Sequence, residues 1–80
     1  MTIEWSRKAE SDIRKLDPPI AKRISAALDR FAETEHGDVV RLQGCDEYRL
    51  RVGDWRVRFR LESGNVAVIL RIGHRSEAYR

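Results

Sequence analysis

From Tyr48 onward the apolar residues fall on every second position. Tyr48, Leu50 and Val52 alternate with Arg49 and Arg51; after Gly53 and Asp54, Trp55, Val57, Phe59 and Leu61 alternate with Arg56, Arg58 and Arg60. A period of two sends successive side chains to opposite faces of a strand, and glycine in the first place of a two-residue connection is what a type II′ hairpin turn needs. The pattern therefore predicts two antiparallel strands, beginning at Glu47, with a fixed register. Val52 faces Trp55, Arg51 faces Arg56, Leu50 faces Val57, and Arg49 faces Arg58. One face of this hairpin is apolar and the other is arginine.

The rest of the chain supplies what such a hairpin needs to bury its apolar face. Thr2 to Trp5 reads as a first strand, and Ser6 as the N-cap of a helix from about Arg7 to Leu16 with Ala9, Ile13 and Leu16 on one side. Asp17-Pro18-Pro19 ends that helix and opens the next, because proline suits a first helical turn and disfavours helix in the residue before it. Ile20, Ile24, Ala27, Leu28 and Phe31 then form an apolar stripe, predicting a second helix over about Pro18 to Glu35, ended near Gly37. Beyond a second turn at Glu62 to Asn65, Val66 to Ile72 reads as a mostly apolar strand in the sheet interior, broken by Gly73. A two- or four-residue loop there places Leu61 opposite Val66 and Arg56 opposite Arg71. The expected fold is α+β: an N-terminal strand and an antiparallel helix hairpin on one face of a mainly antiparallel four-stranded sheet, β-α-α-β-β-β, in one domain spanning 1–80.

Composition narrows the function classes. Of 80 residues, 41% are hydrophobic and 36% charged, which excludes a disordered chain. The longest purely apolar run, Val66 to Leu70, is too short to span a bilayer, and no secretory signal is apparent at the N-terminus. A single cysteine, Cys45, fits a reducing cytoplasm and reads as a small apolar filler. No CxxC, His/Cys cluster, GxGxxG or P-loop occurs, so no metal and no cofactor is expected. The net charge of +3 is unevenly placed: residues 1–40 carry seven basic and eight acidic groups, residues 41–80 nine arginines and five acids.

On the predicted register, the face away from the helices carries Arg49, Arg51, Arg56, Arg58, Arg60 and Arg71, with Arg51, Arg56 and Arg71 in one row. Like charges directly opposite each other destabilise a sheet by about 0.2–1 kcal/mol per pair. The only acids in these strands lie near their ends, so an external anion is expected to relieve the repulsion. Polyphosphate fits, because a guanidinium engages phosphate oxygens in bidentate fashion and also stacks on bases. A sheet face favours RNA or single strands over the major groove of duplex DNA; an acidic protein segment is a competitor for the same surface.

This element order, the segment Tyr48-Arg-Leu-Arg-Val-Gly-Asp-Trp-Arg-Val and the tail Gly73-His-Arg-Ser-Glu-Ala-Tyr-Arg resemble the RelE branch of the RelE/ParE toxin superfamily over the whole chain. The resemblance implies a cytoplasmic toxin of a type II toxin–antitoxin pair that cleaves mRNA on the ribosome and is held in a hetero-oligomer by a cognate antitoxin. It further implies roles for Arg49 and Arg51 as the paired basic residues of one strand, Arg56 as the basic residue of the next, Arg75 or the adjacent His74 after the last strand, and Tyr79 as a base-stacking tail residue. The related ParE branch instead inhibits DNA gyrase. A catalytically inert RNA- or protein-binding module on the same scaffold is a third reading.

Cleavage without a metal needs a base for the ribose 2′-hydroxyl, stabilisation of the phosphorane-like transition state and an acid for the leaving 5′-oxygen. Arginine supplies only the second, since it does not release its proton near neutral pH. Arg51 and Arg56 are expected to clamp the scissile phosphate beside Arg49, with Arg58, Arg60 and Arg71 binding RNA. Several members of the family it resembles have lysines where this chain has Arg49 and Arg51, so proton transfer is expected to fall to His74, a side chain whose ordinary pKa lies near neutrality. Tyr79 reads as a base-stacking or proton-donating residue, and Glu77 as a surface charge beside His74 and Arg75.

Overall fold

The structure, a computed structural model, describes residues 1–44 and 46–77. Its elements are β1 (Thr2–Trp5), α1 (Arg7–Arg14), α2 (Pro18–Thr34), β2 (Val39–Arg41), β3 (Glu47–Val52), β4 (Trp55–Glu62) and β5 (Val66–His74). The sheet has five strands in the order β1-β5-β4-β3-β2 rather than the expected four. The β1–β5 pair is parallel and the others are antiparallel. The extra strand, β2, is three residues long, too short to show alternation, and pairing to β3 holds it in place, with Val40 opposite Arg49.

The β3–β4 hairpin has the predicted register throughout, from Val52 opposite Trp55 to Arg49 opposite Arg58. Gly53 has φ 59° while Asp54 avoids positive φ, the combination a type II′ turn requires. The second hairpin differs. Gly64 (φ 85°) and Asn65 (φ 61°) both take left-handed backbone, giving a three-residue loop with Glu62 opposite Val66. A bulge then separates Phe59↔Ile69 from Arg58↔Arg71, and the two offsets carry Arg71 opposite Arg58, not Arg56. Gly73 does not break β5; it sits opposite Arg56, the strand runs on to His74, and the Arg75 amide donates to Asp54 O at 2.8 Å.

Both helices form where expected, each with a slightly earlier end. Ser6 caps α1, its Oγ accepting from the Ala9 amide at 3.1 Å, and Pro18 opens α2. The left-handed residue closing α2 is Glu35 (φ 57°) rather than Gly37. Gly37 instead allows close approach to the core, because a Cβ there would lie 3.0 Å from Leu50 Cδ1. The helices cover one sheet face. Ala9, Ile24, Leu28 and Phe31 pack onto Leu50, Val52, Val57, Phe59, Ala67, Ile69 and Ile72, with Trp5, Tyr48 and Trp55 at the margin. No helix among the described residues is long and apolar enough to cross a membrane.

Among the described residues, Asp12 is the buried charged side chain. β1 pairs with β5 only as far as Trp5↔Ile69, and past that point Asp12 Oδ2 takes the place of a strand, accepting the Ile72 amide at 2.9 Å. Lys8 and Arg71 flank the carboxylate at 3.5 Å each. Removing it strands a buried amide, so Asp12→Ala should lower stability by about 1–3 kcal/mol in urea denaturation, and Asp12→Asn, which keeps an acceptor, by less.

Candidate functional site

The register places Arg49, Arg58 and Arg71 in one row across the outer face, opposite the helices, and Arg51, Arg56 and Gly73 in the next row toward the β3–β4 turn. Arg60 lies beyond them, opposite Glu47 and Val68. Six arginines thus share a face as expected, but the row of three is Arg49-Arg58-Arg71. Glycine in the row of Arg51 and Arg56 leaves that end of the face without a third side chain.

The repulsion among these arginines is relieved within the protein, contrary to expectation. Arg51 pairs with Asp38 at 2.5 Å, Arg58 with Glu47, Arg60 with Glu62 at 2.8 Å, and Arg71 with Asp12. Asp38 and Asp12 come from outside the three strands, where no reading of strand sequence finds them. Arg56 is handled differently. It makes no ion pair among the described residues, and its Nη1 donates to the carbonyls of Gly53 at 2.9 Å and Trp55 at 3.0 Å. Those two bonds hold the guanidinium in place without neutralising it.

More cations converge on the same turn. Arg75 follows β5, its Nε 3.9 Å from Asp54 Oδ1. Arg23 of α2 reaches the turn from the helix side, with Nη2 2.8 Å from where a Gly53 Cβ would stand. Arg23 leaves no mark in the sequence pattern, since its place on a solvent face of α2 gives no hint that the N-terminal half of that helix passes the hairpin turn. Gly53 is required here by its left-handed backbone, and a side chain in its place would push the Arg23 guanidinium aside.

His74 is not brought to this arginine cluster. It lies opposite Trp55, whose ring packs against the core, and the two rings meet edge to face at 5.4 Å. Its side chain therefore leaves the sheet on the helix side, whereas Arg51 and Arg56 project from the other. Its Nδ1 lies 3.0 Å from Ser76 Oγ and accepts from the Ser76 amide at 3.3 Å. A backbone amide only donates, so the Nδ1 lone pair is engaged by the protein itself. Glu77 is exposed, as expected of a surface charge, and lies on the arginine side, its Oε2 3.5 Å from where a Gly73 Cβ would stand. Tyr79 and Cys45 lie outside the described residues. No cluster of His, Cys, Asp or Glu suited to a metal ion occurs among the described residues.

The fold is that of known antitoxin-bound proteins. The chain superposes on the RelB–RelE antitoxin–toxin complex of Methanococcus jannaschii with TM-score 0.77 at 21% identity, covering 95% of this chain and 94% of that one. It superposes on the archaeal RelE–RelB complex of Pyrococcus horikoshii with TM-score 0.75 at 25% identity, covering 96% and 97%. For the toxin–antitoxin complex RelBE2 of Mycobacterium tuberculosis the values are 0.73 at 26% identity, covering 91% and 95%. No curated protein matches the sequence. The family description "ParE toxin of type II toxin-antitoxin system, parDE" matches residues 3–79. Nearly the whole chain is covered by that match, and the same strands and helices recur in the RelE structures: the chain belongs to the ParE toxin family, a type II toxin of the RelE/ParE superfamily.

Proposed function

We propose that this toxin is an endoribonuclease that cuts mRNA on the ribosome by attack of a ribose 2′-hydroxyl on the adjacent phosphate. The observation that carries this reading is the Arg51–Arg56 pair, directly opposed across the hairpin, with Arg56 fixed by two carbonyls and carrying no acid partner among the described residues. Preorganised guanidiniums of this kind stabilise charge that develops on a phosphorane and need no reorganisation when it forms. Arg75 adds a third cation at the turn, and Arg49, Arg58, Arg60 and Arg71 extend the surface along which an RNA backbone would run, with Tyr79 as a base-stacking residue. The acids interleaved with those arginines compete with phosphate and favour a substrate already held in place, as mRNA is on a ribosome.

A cognate antitoxin is the expected protein partner, as in the RelB–RelE complexes that share this fold. The second reading is DNA gyrase inhibition, which the match to the ParE family favours. Induced expression separates the two. Cuts mapped by primer extension within a translated message, absent from an untranslated one, are the predicted result. A DNA-damage response without cuts would assign the gyrase activity instead.

A further inference from the structure

We propose that Glu77 accepts the proton of the attacking 2′-hydroxyl, a role that rests on the ribonuclease reading above. Arginine cannot take that proton, and residues 41–80 contain no lysine. His74 projects on the far side of the sheet, and the Ser76 amide occupies its Nδ1. The carboxylates around the outer face are committed to arginines: Asp38 to Arg51, Glu47 to Arg58, Glu62 to Arg60, Asp12 to Arg71, and Asp54 to Arg75.

Glu77 stands apart from these. It makes no ion pair among the described residues, and its carboxylate lies over Gly73, the residue opposite Arg56. Opposed residues on one face of an antiparallel pair have Cβ atoms about 4.5–5.5 Å apart, so the carboxylate occupies the space left by the glycine in the Arg56 row, beyond ion-pair distance of the Arg56 guanidinium, which turns to the Gly53 and Trp55 carbonyls. The Glu77 amide donates to His74 O at 2.8 Å, which ties the turn that carries it to the end of β5. A phosphate held by Arg51 and Arg56 would thus have a carboxylate on its β5 side.

The chemistry balances without a further reagent. Glu77 takes the proton of the 2′-hydroxyl, the 2′-oxygen bonds to phosphorus, and the bond from phosphorus to the 5′-oxygen breaks. The 5′-oxygen takes a proton from water, and Glu77 returns its own to solvent. The products are a 2′,3′-cyclic phosphate and a 5′-hydroxyl. The charged residues in the row that Glu77 overlies are Arg56 of β4 and, one strand further, Arg51 of β3; Arg75 and Asp54 pair at the adjacent turn, and His74 lies behind the sheet.

The test is single-turnover cleavage of mRNA on programmed ribosomes by the full chain, with toxin–ribosome binding measured in parallel. Glu77→Gln should cut at least about 100-fold more slowly while binding as well as or better than wild type, since a general base contributes roughly 10²–10⁴-fold. Glu77→Asp should recover part of the rate. The wild-type rate should rise with pH at the acid end, and that limb should flatten in Glu77→Gln. His74→Gln should keep most activity. A Glu77→Gln protein that cuts at the wild-type rate overturns the role, as does a loss confined to His74→Gln. A wild type that binds but never cuts removes the ribonuclease reading, and this role with it.

Discussion

Arg56→Ala should slow mRNA cleavage by about 100- to 1,000-fold and abolish growth arrest while leaving the domain folded. Loss of one preorganised donor to a developing oxyanion has an effect of that size. The structure separates this effect from a folding defect. The Arg56 guanidinium bonds to the carbonyls of Gly53 and Trp55 at an exposed turn, where water can replace it. The loss in stability should therefore stay near 1 kcal/mol, within the usual net value of hydrogen bonds of this kind. Thermal unfolding alongside growth assays distinguishes the two causes. A folded, fully toxic Arg56→Ala protein would remove Arg56 from the site.

Phe59→Ala is expected to have the largest effect on stability, about 3–5 kcal/mol, in line with large-to-small changes at buried aromatic positions. Phe59 is 1% exposed. Its ring lies between Phe31 of α2 at 5.4 Å and Tyr48 of β3 at 5.5 Å, so its loss opens the contact between helix layer and sheet. A domain of this size buries a modest core, and typical total stabilities of about 5–15 kcal/mol leave little margin. Equilibrium urea denaturation followed by tryptophan fluorescence should show a much lower midpoint. A midpoint near wild type would mean that the interior repacks around the missing ring.

The parts of this fold legible in the sequence are those fixed by local chemistry. Gly53-Asp54 sets both turn type and length, so every pair of the β3–β4 hairpin follows from it. Ser6 and Pro18 mark helix starts through the hydrogen bonds they make or omit. The second hairpin was not legible, because Gly64 and Asn65 together lengthen the turn by one residue and a bulge at Leu70 adds a second offset. A bulge answers to packing across the sheet and leaves no mark in the alternation. The consequence for the site is direct: Arg71 moves to the Arg58 row, and β5 continues through Gly73 and carries His74 to the helix side.

The arginine face itself was legible, and its electrostatics were not. Asp12 and Asp38 reach Arg71 and Arg51 from a helix and from the residue before β2, contacts set by tertiary structure alone. With Glu47 and Glu62 they pair Arg51, Arg58, Arg60 and Arg71 with acids, whereas Arg56 makes no ion pair among the described residues. Arg23 and Glu77 likewise gain their places only when α2 and the segment after β5 close around the hairpin turn.

If the Arg51–Arg56 end of the sheet promotes attack of a ribose 2′-hydroxyl on the adjacent phosphate, the end groups of the cleaved message record it. Purified toxin, programmed ribosomes and a defined mRNA should yield upstream fragments ending in a 2′,3′-cyclic phosphate and downstream fragments beginning with a 5′-hydroxyl. Fragments ending in a 3′-hydroxyl and beginning with a 5′-phosphate would contradict it.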